Sequence, residues 1–302
     1  MPVALDFALK THPGLVRPLN EDAIGADPSC GLFALADGLG GYNAGEVASV
    51  MAISSVLERL SSALADSRGA DTGFAPDDVI YDTVGDINAA IYNAALNSAA
   101  FEGMATTLVL AWFLGDRLWV AHTGDSRLYR YRDDQLEQLT RDHSFSQELL
   151  DAGMVTEEEA RILPAKNLVT RALGASPEIE PEIQDLDVAT GDLLLLCSDG
   201  LTEMVGSYEI AGLLGAQADM HETARRLVDL ANESGGRDNV SVILIKVTRK
   251  EAATGPDAAA EAVPADGPAD VPADAAADAP AEGPGAVPAT AGDPPPTTPA
   301  QD

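Results

Sequence analysis

The chain has 302 residues, 46% of them apolar, with 49 acidic against 18 basic side chains and a formal charge of -31. That length and apolar fraction support one large or two ordinary domains, and so negative a surface excludes nucleic acid and anionic membranes as natural partners. No apolar run approaches the roughly 18 residues of a membrane span. Residues 1–6 lack the basic-then-apolar order of a signal peptide. Cys30 and Cys197 have no CxxC spacing, which predicts reduced thiols in a cytoplasmic protein.

Residues 3–9 place Val3, Leu5, Phe7 and Leu9 on one face and predict a first strand. A turn-rich segment at 11–22 carries Arg17, Glu21 and Asp22. Residues 32–36, all apolar, read as a buried strand, and Asp37-Gly38-Leu39-Gly40-Gly41 ends it in a glycine turn. Asn43-Ala44-Gly45-Glu46 starts a helix whose apolar stripe runs through Val47, Val50, Met51, Ser54, Val56, Leu57 and Leu60. After a break at 69–76, a second amphipathic helix spans about 77–98. Strands follow at 106–114, 117–123, 126–131 and 135–139, and the short turns at 115–116 and 133–134 imply antiparallel hairpins. Residues 141–175 change to short charged helical pieces, 146–152 and 156–162, read as an insertion over the strand ends. Strands at 178–188, 192–197 and 240–245 and a helix at 222–232 complete a sheet-on-sheet core flanked by helices. The last 52 residues hold 11 of the 19 prolines, ten acids and no aromatic residue, which predicts a disordered Ala/Pro/Asp-rich acidic tail over 249–302.

Asp37, Asp125, Asp199 and Asp238 all stand at apolar strand ends, beside glycine or within two residues of it. Any one of them could be a turn aspartate bonded to its own backbone. Four together suggest one shared acidic site, and gathered carboxylates repel one another unless cations lie between them. Oxygen ligands without a His or Cys cluster select hard ions, Mg²⁺ or Mn²⁺. The residues thus point to a carboxylate-rich two-metal centre.

Six motifs then carry a resemblance. Arg17-Pro18-Leu19-Asn20-Glu21-Asp22, Ala36-Asp37-Gly38-Leu39-Gly40-Gly41 and Gly103-Met104-Ala105-Thr106-Thr107 come first. Gly124-Asp125-Ser126-Arg127, Cys197-Ser198-Asp199-Gly200-Leu201 and Gly236-Arg237-Asp238-Asn239-Val240 follow. In this order they resemble the metal-dependent (PPM, type 2C) serine/threonine protein phosphatases over about residues 3–248. The resemblance implies an α+β fold, an αββα sandwich of two mainly antiparallel sheets, as a catalytic domain over 1–248 with a flap at about 141–175. It implies hydrolysis of phosphoserine and phosphothreonine in proteins by a water bridging two Mn²⁺ or Mg²⁺ ions. Asp37 resembles the carboxylate shared by both ions, and Gly38 the carbonyl donor. Asp199 and Asp238 resemble the other ligands of the first ion, and Asp22, with Glu21 in support, that of the second. Asp125 with Asp199 resembles the holder of a third, weaker ion, Asn239 orients Asp238 or a bound water, and Arg17 offsets phosphoryl charge as a guanidinium can. The competing reading of Arg17 is a surface arginine paired with Glu21.

Leu39 stands where animal members carry a histidine, and Ala105 where a glycine is usual. His12, His122, His143 and His221 read as structural, and Cys197 as a core residue. Tyr42-Asn43-Ala44-Gly45-Glu46 is similar to phosphatases encoded with type VI secretion kinases, which implies a cognate serine/threonine kinase and its phosphorylated substrates as partners. Family members are commonly monomeric. The rival reading is a catalytically silent phosphoprotein-binding regulator, against which the intact Arg17, Asp22, Asp37, Asp199 and Asp238 argue.

Overall fold

The computed structural model describes residues 3–40, 44–67, 73–164, 168–216 and 218–249. Gly41, Tyr42, Asn43 and the proposed tail from Lys250 on lie outside the described residues.

Two five-stranded sheets form the core. One runs β1 (Val3–His12), β12 (Val240–Arg249), β11 (Leu193–Cys197), β8 (Arg127–Arg132), β9 (Gln135–Gln138). The other runs β10 (Glu182–Asp187), β7 (Arg117–Thr123), β6 (Leu108–Leu114), β3 (Leu32–Ala36), β2 (Ala23–Asp27). Every neighbouring pair is antiparallel.

Side-chain alternation explains the layers. On β3, Phe33 and Leu35 pack between the sheets, while Leu32, Ala34 and Ala36 face helices α1 (Ala44–Ser67) and α2 (Pro76–Asn97). On β12, Ile243, Ile245 and Val247 point inward. Val242 and Leu244 face α5 (Asp199–Thr202), α6 (Ser207–Gly215) and α7 (Met220–Glu233). Strands apolar on both faces are what a four-layer αββα sandwich requires. Asp219 caps α7 by accepting the Glu222 N–H, and Thr156 with Glu159 forms a capping box on α4 (Glu157–Ile162). With α3 (Phe145–Asp151), α4 makes up the helical part of residues 141–175.

Three differences from the sequence expectations have simple causes. Residues 106–114 are not one strand: Ala105–Thr106 (β5) pairs with Gly38–Leu39 (β4), and only from Leu108 does the chain join the large sheet. The strand β2 and the short helices α5 and α6 carry too little periodicity to be read. By length and composition α1 could cross a membrane, yet Ala48, Ala52, Val56 and Leu60 on it are buried in the core.

Candidate metal centre

Antiparallel pairing delivers the acids to one place. Ala23 pairs with Ala36, so Asp22 before β2 and Asp37 after β3 emerge at the same sheet end. Cys197 pairs with Val242, which brings Asp199 and Asp238 together likewise. Leu108 pairs with Thr123, setting Thr107 beside Gly124-Asp125.

Hydrogen bonds then fix each acid. The Asp37 N–H donates to Thr107 Oγ1 at 2.9 Å, and its carbonyl accepts from the Thr107 N–H at 2.9 Å and Thr106 Oγ1 at 2.8 Å. Thr107 Oγ1 lies 2.7 Å from Ser126 Oγ, next to Asp125. Ser198 Oγ joins the sheets by donating to Asp22 Oδ2 at 2.8 Å while accepting the Ser241 N–H at 3.0 Å. Asn239 Oδ1 accepts the Glu21 N–H at 2.7 Å, and its amide donates to the carbonyls of Pro13 and Leu19 at 2.9 and 2.8 Å. Asn239 therefore pins the whole segment that bears Arg17, Glu21 and Asp22. Two glycines permit the close approach. A Cβ on Gly38 would sit 2.3 Å from the Gly45 carbonyl oxygen, and one on Gly200 1.9 Å from that of Asn239.

The cost of this gathering is electrostatic. Burial above all, aided by Asp22, Asp199, Asp125 and Asp238, raises Asp37 well above the usual carboxylate range. Asp199 is raised well above it in the same way, by burial and then by Asp125, Glu203 and Asp238. Asp22 and Asp125 are both pushed up to about 6, chiefly by burial. Burial also raises Glu21, with Arg17 opposing it. Asp22 Oδ1 is buried and has no hydrogen-bond partner. An orphaned carboxylate oxygen among carboxylates that resist ionisation, with oxygen as the only donor type, is a donor set suited to hard divalent cations.

Arg17 pairs with Asp238 at 2.6 Å, not with Glu21, and half of its side chain is exposed. Asp125 and Asp199 also line a cavity of about 710 Å³ bounded by Asp142, Glu203 and parts of α3 and α6. The structure thus brings together Arg17, Glu21, Asp22, Asp37, Gly38, Asp199, Asp238 and Asn239, with Asp125 on the flank. Cys197 is fully buried in the core, and its thiol is pushed up to about 12. Sequence reading missed the hydroxyl supports Ser126 and Ser198 and the Ser241 backbone N–H that holds Ser198, since serine carries no signal of its own. It read His122 and His143 as separate structural residues, and their rings stack with centroids 4.8 Å apart.

A family model described as protein phosphatase 2C matches residues 17–241. The serine/threonine protein phosphatase PstP of Mycobacterium tuberculosis is 39% identical over 264 residues, which are 87% of this chain and 49% of PstP. The chain thus spans about half the length of that relative. Protein phosphatase PhpP of Streptococcus pneumoniae is 33% identical over 262 residues, 82% of this chain and 100% of PhpP. The crystal structure of the PstP catalytic domain in complex with two manganese ions matches with a TM-score of 0.69 at 39% identity, over 82% of this chain and 99% of that one. PppA, described as a key regulatory component of T6SS in Pseudomonas aeruginosa, matches with a TM-score of 0.69 at 31% identity, over 82% and 99%.

Proposed function

The chain belongs to the protein phosphatase 2C family, and from that premise we propose that it hydrolyses phosphoserine and phosphothreonine in proteins at the aspartate centre. The observation that carries the proposal is the convergence of Asp22, Asp37, Asp125, Asp199 and Asp238 at one sheet end, with an orphaned carboxylate oxygen among them. In this reading Asp37, Asp199 and Asp238 would hold a first Mn²⁺ or Mg²⁺ ion, Asp37 and Asp22 with Glu21 a second, with the Gly38 carbonyl as a further donor, and Asp125 with Asp199 a third. When bound, such ions supply Lewis acidity at the phosphoryl group and activate water near neutral pH. Arg17 binds phosphoryl oxygens. Its half-exposed pair with Asp238 contributes little stability, so the guanidinium is free to exchange partners for substrate. Asn239 holds the Arg17 segment in register with the carboxylates through its three hydrogen bonds. The 141–175 segment, as the flap, borders the cavity beside Asp125 and selects the phosphoprotein.

The wider setting we propose is a cytoplasmic monomer that reverses a cognate serine/threonine kinase. Likeness to PppA supports, for that kinase, a link to type VI secretion; the Tyr42-Asn43 part of the motif lies outside the described residues. The test is phosphate release from a phosphothreonine peptide with Mn²⁺, with Mg²⁺ and with chelator, beside Asp37→Ala and Asp238→Ala. Release that needs metal and is lost in both variants is expected. No release under any metal, from protein folded by circular dichroism, would overturn the enzyme reading in favour of a phosphoprotein-binding regulator.

A further inference from the structure

His122, His143 and Glu182 form a second cluster, beside the Gly124-Asp125 turn. The β10–β7 register sets Glu182 directly opposite His122, and His143 stacks on the His122 ring. Their nitrogen and oxygen atoms lie within 4.8 Å of one another, close enough to surround a metal ion. The hydrogen bonds argue for something else. His143 Nδ1 accepts the Gly124 N–H at 3.2 Å, so the proton of the neutral ring lies on Nε2, 3.3 Å from Glu182 Oε1. His122 Nε2 is 2.7 Å from the Arg141 carbonyl, which only accepts, so this nitrogen also carries its proton. Burial holds both rings below the usual histidine value, hence neutral. Both Nε2 atoms thus carry protons rather than lone pairs, which does not suit a metal ion; the Glu182 carboxylate lies 3.3 Å from His143 Nε2 and 3.7 Å from His122 Nε2, whose proton goes to the Arg141 carbonyl.

The geometry points to His143 and Glu182 as positioning residues for Asp125. Gly124 has a φ of +101°, a conformation that leaves the backbone before Asp125 without side-chain restraint. His143 removes that freedom twice: its Nδ1 takes the Gly124 N–H, and its own N–H donates to the Gly124 carbonyl at 2.9 Å. The His143 carbonyl in turn accepts the Thr170 N–H at 2.9 Å, so one residue ties the returning end of the 141–175 segment to the Asp125 turn. The Glu182 carboxylate, 3.3 Å from His143 Nε2 without a formed hydrogen bond, favours by its charge the tautomer with the proton on that nitrogen, which leaves Nδ1 as an acceptor. This is the arrangement by which outer residues fix a metal-binding carboxylate. The proposal rests on Asp125 being a metal ligand.

The experiment uses the full chain and Mn²⁺ alone, titrated by calorimetry and separately by phosphate release, with melting temperatures taken throughout. The variants are His143→Leu, His143→Asn, Glu182→Ala, Glu182→Gln and Asp125→Ala, plus His143→Leu combined with Asp125→Ala. Asparagine places an acceptor oxygen about where Nδ1 lies, and glutamine keeps one facing Nε2. His143→Leu and Glu182→Ala should weaken the weakest resolved Mn²⁺ binding event by about 10-fold or more, with Asn and Gln restoring it to within about threefold. Adding His143→Leu to Asp125→Ala should change nothing further. Additive losses in the double variant, or Asn no better than Leu, would overturn the proposal. Should His143→Leu fail to fold, Glu182→Ala decides alone, because Glu182 is half-exposed on edge strand β10 and tolerates truncation. Wild-type Mn²⁺ binding there, or in Asp125→Ala, overturns it as well. If the wild type takes up Mn²⁺ but releases no phosphate, the enzyme reading has failed and calorimetry still decides this one.

Discussion

Replacing Asp22 by asparagine should stabilise the metal-free protein while weakening its hold on metal. Asp22 is buried, Ser198 donates to one of its oxygens, and the other has no partner. Burial, first among the causes, moves its carboxyl from 3.8 to about 6. That gap corresponds to about 3 kcal/mol favouring the protonated form in the folded state. The sign follows from linkage: a carboxyl raised by folding contributes stability below about pH 4 that is lost as pH rises through about 6. At pH 7.5 the wild type in chelator therefore bears the whole penalty. Asparagine is isosteric, keeps an oxygen for Ser198, offers an N–H₂ toward the acids and cannot ionise. A gain of about 3 kcal/mol raises the melting temperature of a domain this size by roughly 6–12 °C. The assay is thermal unfolding in chelator at about pH 4.5, 6 and 7.5 and in saturating Mn²⁺, chosen to bracket the titration. The variant's advantage should appear only at the upper pH values, and its Mn²⁺-induced rise should shrink. An equal or lower melting temperature in chelator at pH 7.5, or an undiminished Mn²⁺ response, would refute the reasoning.

Arg17→Ala should lower kcat/KM on a phosphopeptide by roughly 10- to 150-fold, the worth of one charge-assisted contact of about 1.5–3 kcal/mol. Its melting temperature should stay within a degree or two, since the Arg17–Asp238 pair is half-exposed; Arg17→Lys should fall between. Gly200→Ala forces a Cβ to within 1.9 Å of the Asn239 carbonyl oxygen, so it should cost about 1–3 kcal/mol in urea unfolding and reduce Mn²⁺ affinity together. With its thiol pushed up to about 12 in the core, Cys197 should resist a thiol reagent until denaturant is added, leaving half-buried Cys30 to react first. Rapid labelling of both in native protein would mean that β11 opens far more readily than its packing implies.

Where the sequence spoke clearly, it did so through periodicity and punctuation. An uninterrupted apolar run at 32–36 closed by Asp-Gly became β3 with the boundaries read from it. The run at 117–123 became β7 likewise. The aspartate cluster was legible because aspartate at the mouth of an apolar strand recurs on β3, β7, β11 and β12. Cross-strand partnership was not legible, because register depends on residues far apart in the chain. Hence Glu182 could not be linked to His122 and His143, and Arg17 was weighed against neighbouring Glu21 when its partner is Asp238, 221 residues away. The short helix α5 escaped because four residues hold barely one turn of pattern.

Strand β12 lies inside its sheet, between β1 and β11, and is the last strand in sequence order among the described residues. β1 therefore waits for β12 before it has a neighbour, and Asp22 waits for Asn239 and Ser198 before it has a fixed place. During synthesis the ribosome carries a chain that already holds Asp37 and Asp125 but cannot close the ring of carboxylates until residue 238 has emerged. A fragment that stops upstream lacks Asp238 and Asn239, so neither the partner of Arg17 nor the side chain that anchors Glu21 is present in it.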